Sequence, residues 1–132
     1  MQETQYDPQL VDKLTRMLSE IPCFEVARHL GRPFLTSHQI AISFKRHHPQ
    51  EYEQLGLKIG GAEIDQHETS LARHIAHQLS QAVKNGHAHI EGAVLSYQHL
   101  EDMTLDNDGE VIRPSRFPVT MFRYVESKVG SR

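Results

Sequence analysis

An α+β fold, mainly helical, is predicted by three features of this chain. Apolar residues recur at helical spacing in separate segments, each bounded by capping and stop residues. Beyond about residue 87 that spacing gives way to extended stretches divided by turn residues. With 132 residues, the chain has the length of one domain built around one core.

The elements follow in order. Residues 1–7 are polar and are expected to form a disordered N-terminal tail. Asp7 is placed to cap a helix whose first residue is Pro8. Leu10, Val11, Leu14, Met17, Leu18 and Ile21 give that helix its apolar stripe over about 8–20, and Pro22 stops it. Pro33 biases its neighbours toward extended backbone, so Phe34 to Thr36 are assigned a minimal strand. Thr36 or Ser37 caps a second helix, which turns Ile40, Ala41 and Phe44 inward and ends at His47 or His48, before Pro49. PQEYEQL is a further short helix with Gly56 just past its end. LKIGGAEIDQHE has the composition of a loop.

Thr69 or Ser70 caps the next helix. Its apolar stripe is Leu71, Ala72, Ile75, Ala76, Leu79 and Val83, and Asn85-Gly86 ends it. HIEGAVLSY then has strand character, LDNDGEVIR has the turn set of a hairpin, and FPVTMFRYVESK alternates as a last strand.

This order of elements resembles a winged helix-turn-helix: a three-helix core with a small antiparallel β-ribbon. The resemblance is to an architecture and spans residues 8–115. Residues 116–132 are assigned to a C-terminal strand or dimerisation segment. The connection before the third core helix is longer than the tight turn most such domains have. The resemblance implies that the helix at about 70–85 enters the major groove of double-stranded DNA. Ser70, Arg73, His74, His77, Gln78 and Gln81 are then expected to project outward, with Lys84 on the same polar face. Arginine and glutamine can make bidentate contacts to guanine and adenine edges. Lys45 and Arg46, at the end of the second core helix, are the expected phosphate contacts. Protonation of His74 and His77 below about pH 6.5 is expected to raise affinity.

Composition restrains that reading. Lysine and arginine number 14 against 17 acidic residues, a formal charge of −3 with the ten histidines neutral, so no global positive excess draws the chain to a polyanion. Positive charge collects locally, at Lys45 to His48 and at Arg113, Arg116, Arg123, Lys128 and Arg132. The stretch before that last group is acidic, and Asp106 and Asp108 at a wing tip would repel phosphate. The asymmetry suits nucleic acid, and it equally suits a homodimer in which one basic tail meets another acidic hairpin.

Cys23 is the single cysteine, which excludes an intramolecular disulfide and a thiolate-rich zinc site. The first residues lack a basic and then apolar leader, no apolar run approaches the ~20 residues of a membrane span, and a reducing cytoplasm is the default expectation. His74 and His77 lie one helical turn apart, and His87 and His89 alternate on an extended piece. No known helical metal motif accompanies them, so no metal or cofactor is assigned. The acidic run from Asp106 lacks the glutamate of a calcium loop at position twelve, where Phe117 stands. Glu126-Ser-Lys128, with Asp108 upstream, echoes the Asp…Glu-x-Lys pattern of metal nucleases and is read instead as a charged, frayed terminus. KIGGAE lacks the lysine and hydroxyl of a phosphate-binding loop.

The first expectation is therefore a non-enzymatic DNA-binding domain, dimeric in its action. The second is a protein-interaction module of the same fold, and a metal-dependent enzyme stands third. DNA binding requires Arg73, Lys45 and Arg46 to share an exposed positive face. An interaction module would instead expose an apolar patch around Phe117, Met121 and Phe122.

Overall fold

The computed structural model describes residues 5–61, 70–96, 98–100, 103–114 and 119–127. Over these residues the chain is an α+β fold of five helices and small antiparallel sheets. Helix α1 spans Pro8–Ser19, a 3₁₀ helix spans Glu25–Leu30, α2 spans Ser37–His47, α3 Pro49–Leu55 and α4 Leu71–Lys84. The strands are β1 Leu35–Thr36, β2 Ile90–Leu95, β3 Leu105–Asn107, β4 Glu110–Ile112 and β5 Val119–Tyr124.

Local chemistry sets the helix ends. Asp7 Oδ1 accepts the amides of Gln9 and Leu10, both at 3.2 Å, and Pro8 begins α1. Thr36 and Gln39 form a reciprocal capping box at α2: Thr36 Oγ1 accepts the Gln39 amide at 3.1 Å, and Gln39 Oε1 accepts the Thr36 amide at 2.7 Å. Ser70 Oγ accepts the Arg73 amide at 3.1 Å and opens α4, which Asn85 and Gly86 close.

The helices bury one shared core. Val11, Leu14 and Leu18 of α1 meet Ile40, Ala41 and Phe44 of α2 and Leu71, Ile75 and Leu79 of α4, with Ile59 of the loop after α3 and Ile112 of β4 closing it. Ile90 and Phe122 bring the sheet into that core. Each buried aliphatic or aromatic side chain contributes roughly 1.5–3 kcal/mol of transfer free energy.

Pairing in the sheet departs from a ribbon made of consecutive segments. Strand β5 lies in the middle, antiparallel to β1 on one side and to β2 on the other, in the order β1-β5-β2. The C-terminal strand is thus the centre of the sheet, because Phe122 stands opposite both Leu35 and Gly92 and carries the core contact. Gly92 permits this: a Cβ there would stand 3.0 Å from Phe122 Cε1. Strands β3 and β4 pair only with each other, as a hairpin set into the connection from β2 to β5. The N-terminal residues Gln5 to Asp7, expected to fray, are hydrogen-bonded to α4 instead. No helix among the described residues is long and apolar enough to cross a membrane.

Candidate nucleic-acid interface

Helix α4 presents two unlike faces. Arg73, His77, Ser80, Gln81 and Lys84 are exposed, and their spacing of three and four residues aligns them along one stripe. No acidic residue occurs anywhere in Leu71–Lys84. Gln81 Nε2 donates to Asn85 Oδ1 at 3.3 Å along the same surface.

Two of the expected contact residues are corrected. Ser70 is 0% exposed and its hydroxyl is used as the cap. Gln78 is 1% exposed, and its carboxamide takes the Asp7 amide and donates to the Gln5 carbonyl, each at 2.7 Å. The reason is rotational: seven residues after Leu71, position 78 returns to within about 20° of the same direction and lies on the inward arc. His74 is half-buried beside this contact. Burial holds its imidazole below the ordinary value of 6.5, opposed by the Asp7 carboxylate and assisted by His77. The expected gain of charge at His74 in mild acid is thereby displaced to lower pH.

The first turn of α4 is also occupied. The Leu71 amide donates to the Lys58 carbonyl at 2.6 Å and the Ala72 amide to the Ile59 carbonyl at 2.9 Å. With the Arg73 amide bound to Ser70, the donors that a helix N-terminus offers an anion are satisfied by the chain itself. Any contact with phosphate through α4 belongs to side chains.

Basic residues at the end of α2 are engaged locally. Arg46 forms an ion pair with Asp108 at the β3–β4 turn, 2.9 Å apart. The Lys45 ammonium stands 5.5 Å from the centroid of the Tyr52 ring, His47 Nδ1 donates to the Ser43 carbonyl at 2.9 Å, and Glu51 accepts from Lys13 and lies 3.3 Å from His48 Nδ1. Burial, then Lys13 and His47, lower the His48 pKa. Asp108, expected to repel phosphate from a wing tip, thus neutralises Arg46 instead.

The remaining candidates fall elsewhere. His89 stacks on Tyr124 with ring centroids 5.3 Å apart, and its Nδ1 donates to the Val125 carbonyl at 3.1 Å. Its backbone amide donates to His87 Nδ1 at 3.1 Å. Arg32 lies over the other aromatic neighbour of this group, 5.0 Å from the Tyr124 ring centroid, and pairs with Glu126 at 2.9 Å. Glu126 and Asp108, grouped by residue type as a nuclease echo, thus have separate arginine partners. Among the described residues no group of three or more His, Cys, Asp or Glu is placed to hold a metal ion. Phe122 is buried and Met121 half-buried, so these two form no exposed apolar patch. Phe117, Arg116, Lys128 and Arg132 lie outside the described residues.

The sequence reasoning missed the surface between α1 and β1. Phe24, Val26 and Leu30 are all exposed, Val26 by 92%, and no residue of the 3₁₀ helix is buried. What holds it is Arg123, whose Nη1 donates to the carbonyls of Leu30 at 2.6 Å and Arg32 at 3.1 Å. Nε and Nη2 of the same guanidinium bind Glu91 at 2.6 Å, and its plane lies 4.4 Å from the Phe34 ring centroid. The signal available in the sequence was a cluster of apolar residues, PCFEVARHL, with neither helical nor alternating spacing.

Comparison with protein-family models, with curated proteins and with solved structures returned no match.

Proposed function

We propose that this chain is a winged helix-turn-helix-like domain that binds double-stranded DNA, with the outer face of α4 directed at the duplex and the β2–β5 connection as its wing. The observation that carries the reading is the combination of topology and charge on one element. Helices α1, α2 and α4 pack around one core, and β1 enters just before α2. The sheet order β1-β5-β2 follows from the wing strands β2 and β5 flanking the connection. On this frame α4 offers Arg73, His77, Gln81 and Lys84 outward with no acid among them. Ser70 and Gln78 leave the proposed contact set, and Lys45 and Arg46 remain as secondary phosphate contacts that must first leave Tyr52 and Asp108. The domain is proposed to act without catalysis.

Fluorescence anisotropy with random-sequence duplex DNA at low salt tests this. Arg73→Ala with Lys84→Ala is expected to weaken binding and to flatten its salt dependence, as loss of two cationic contacts requires. Absence of low-salt binding by the wild-type chain would sink the reading, because non-specific affinity is the property any such domain retains.

A second reading, a protein-interaction module of the same fold, is favoured by the exposed Phe24, Val26 and Leu30. Three exposed apolar residues within one seven-residue segment are what a contact surface for a protein partner would present. A protein partner that loses affinity on Phe24→Ser, with DNA binding absent, would select it.

A further inference from the structure

We infer that the open edge of β2 is a self-association surface, on which a second copy of this chain adds its own β2 in antiparallel orientation. Strand β2 pairs with β5 along Ile90–Leu95 and is the last strand of its sheet. On the other side, no backbone group of residues 91–95 has a hydrogen-bond partner among the described residues. All five residues are at least partly exposed, Val94 by 62%.

Strand edges in soluble proteins are ordinarily protected by lysine, proline, a bulge or a covering element. The stretch Glu91-Gly92-Ala93-Val94-Leu95 contains no lysine or proline, and its register against β5 runs without a bulge. Its single charge, Glu91, is neutralised by Arg123. Among the described residues the edge is thus apolar, unbulged and without backbone partners on its outer side, which is the requirement for strand addition.

Charge and register select a second copy as the occupant. A two-fold axis perpendicular to the sheet keeps each face on the same side, so opposed residues must share parity and the axis passes through a residue. An axis at Glu91 would oppose two carboxylates. An axis at Ala93 opposes Glu91 to Leu95 and Gly92 to Val94, and sets Ala93 against itself, where only two methyl groups meet. This register pairs the whole exposed run and opposes no like charges.

A five-residue ladder alone is smaller than the roughly 800 Å² per partner of a stable complex. Association is therefore expected to be weak and concentration-dependent.

Analytical ultracentrifugation of the full chain from low-micromolar to submillimolar concentration tests the proposal, without reference to DNA. The wild type is expected to pass from monomer to dimer. Ala93→Lys places two cations at the axis and should weaken dimerisation about tenfold or more, whereas Ala93→Ser should not. Val94→Lys, at an exposed position that folding does not require, should weaken it in the same direction. An equimolar mixture of Ala93→Lys and Ala93→Glu should restore association, since opposite charges then meet at residue 93. A wild type that stays monomeric throughout overturns the proposal, as does association unaffected by both lysine variants. Failure of the mixture to associate overturns the register.

Discussion

Gln78, deep in α4, holds Asp7, the residue that caps α1: its Oε1 accepts the Asp7 amide at 2.7 Å while its Nε2 donates to the Gln5 carbonyl at 2.7 Å. One buried carboxamide therefore orders the approach to the first helix and joins that helix to the last. Both of its polar ends are satisfied, which is the condition for a buried amide to be tolerated. Gln78→Ala leaves an amide and a carbonyl without these partners, a loss expected to cost about 1–3 kcal/mol of stability. Gln78→Glu keeps the acceptor and loses the donor, and is expected to destabilise as well. Urea denaturation measures both. Duplex affinity of the folded Gln78→Ala protein should match the parent, and a selective loss of sequence preference would return Gln78 to the contact surface.

Arg123 is the clamp of the 3₁₀ segment. Its guanidinium serves Glu91 and two backbone carbonyls at once, a fork geometry an ammonium cannot reproduce. Arg123→Lys is therefore expected to fail as a conservative replacement. Hydrogen exchange should accelerate at the amides of residues 27–31 and remain slow in α1 and α4. Gly31→Ala should act similarly: the residue has φ +86°, and an added Cβ would stand 3.0 Å from Arg123 Nη1. Unchanged exchange in both variants would remove Arg123 from this role.

The pH dependence of stability follows from His74 and His48. Both folded-state pKa values lie below 6.5, and burial is the first cause in each. A depressed value means that the unfolded chain binds the proton more readily than the folded chain. The contribution of the neutral imidazoles is complete above the unfolded value and is lost as pH falls through it toward the folded value. Melting temperature is thus expected to fall on acidification from pH 7 through the range below 6.5. His74→Asn, which cannot titrate, should make that fall shallower. An identical pH profile in the variant would show that His74 does not carry it.

Periodicity and capping made most of the helices legible before tertiary structure entered. Pro8 with Asp7, Thr36 with Gln39, and Ser70 with Asn85-Gly86 mark the helix ends through local bonds, and local bonds are written in neighbouring residues. The hairpin at Asp106 to Glu110 was legible for the same reason: Asp106 Oδ1 accepts the Gly109 amide at 2.8 Å within the turn. The candidate site was legible only in part. Arg73, His77, Gln81 and Lys84 are outward as the stripe predicts, but Gln78 was assigned by its polarity to a face that its rotation about the helix denies it.

What the sequence by itself determined is the set of elements and the inward arc of each long helix, because hydrophobic spacing and capping act over a few residues. What only the tertiary structure decided is which distant groups meet. Strand β5 became the centre of the sheet because Phe122 can lie across Gly92 and face the helices. Asp108 found Arg46 across 62 residues, and Arg123 found Leu30 across 93. No local pattern encodes such pairs. They form where packing of the core brings two polar groups together and leaves each a better partner than water.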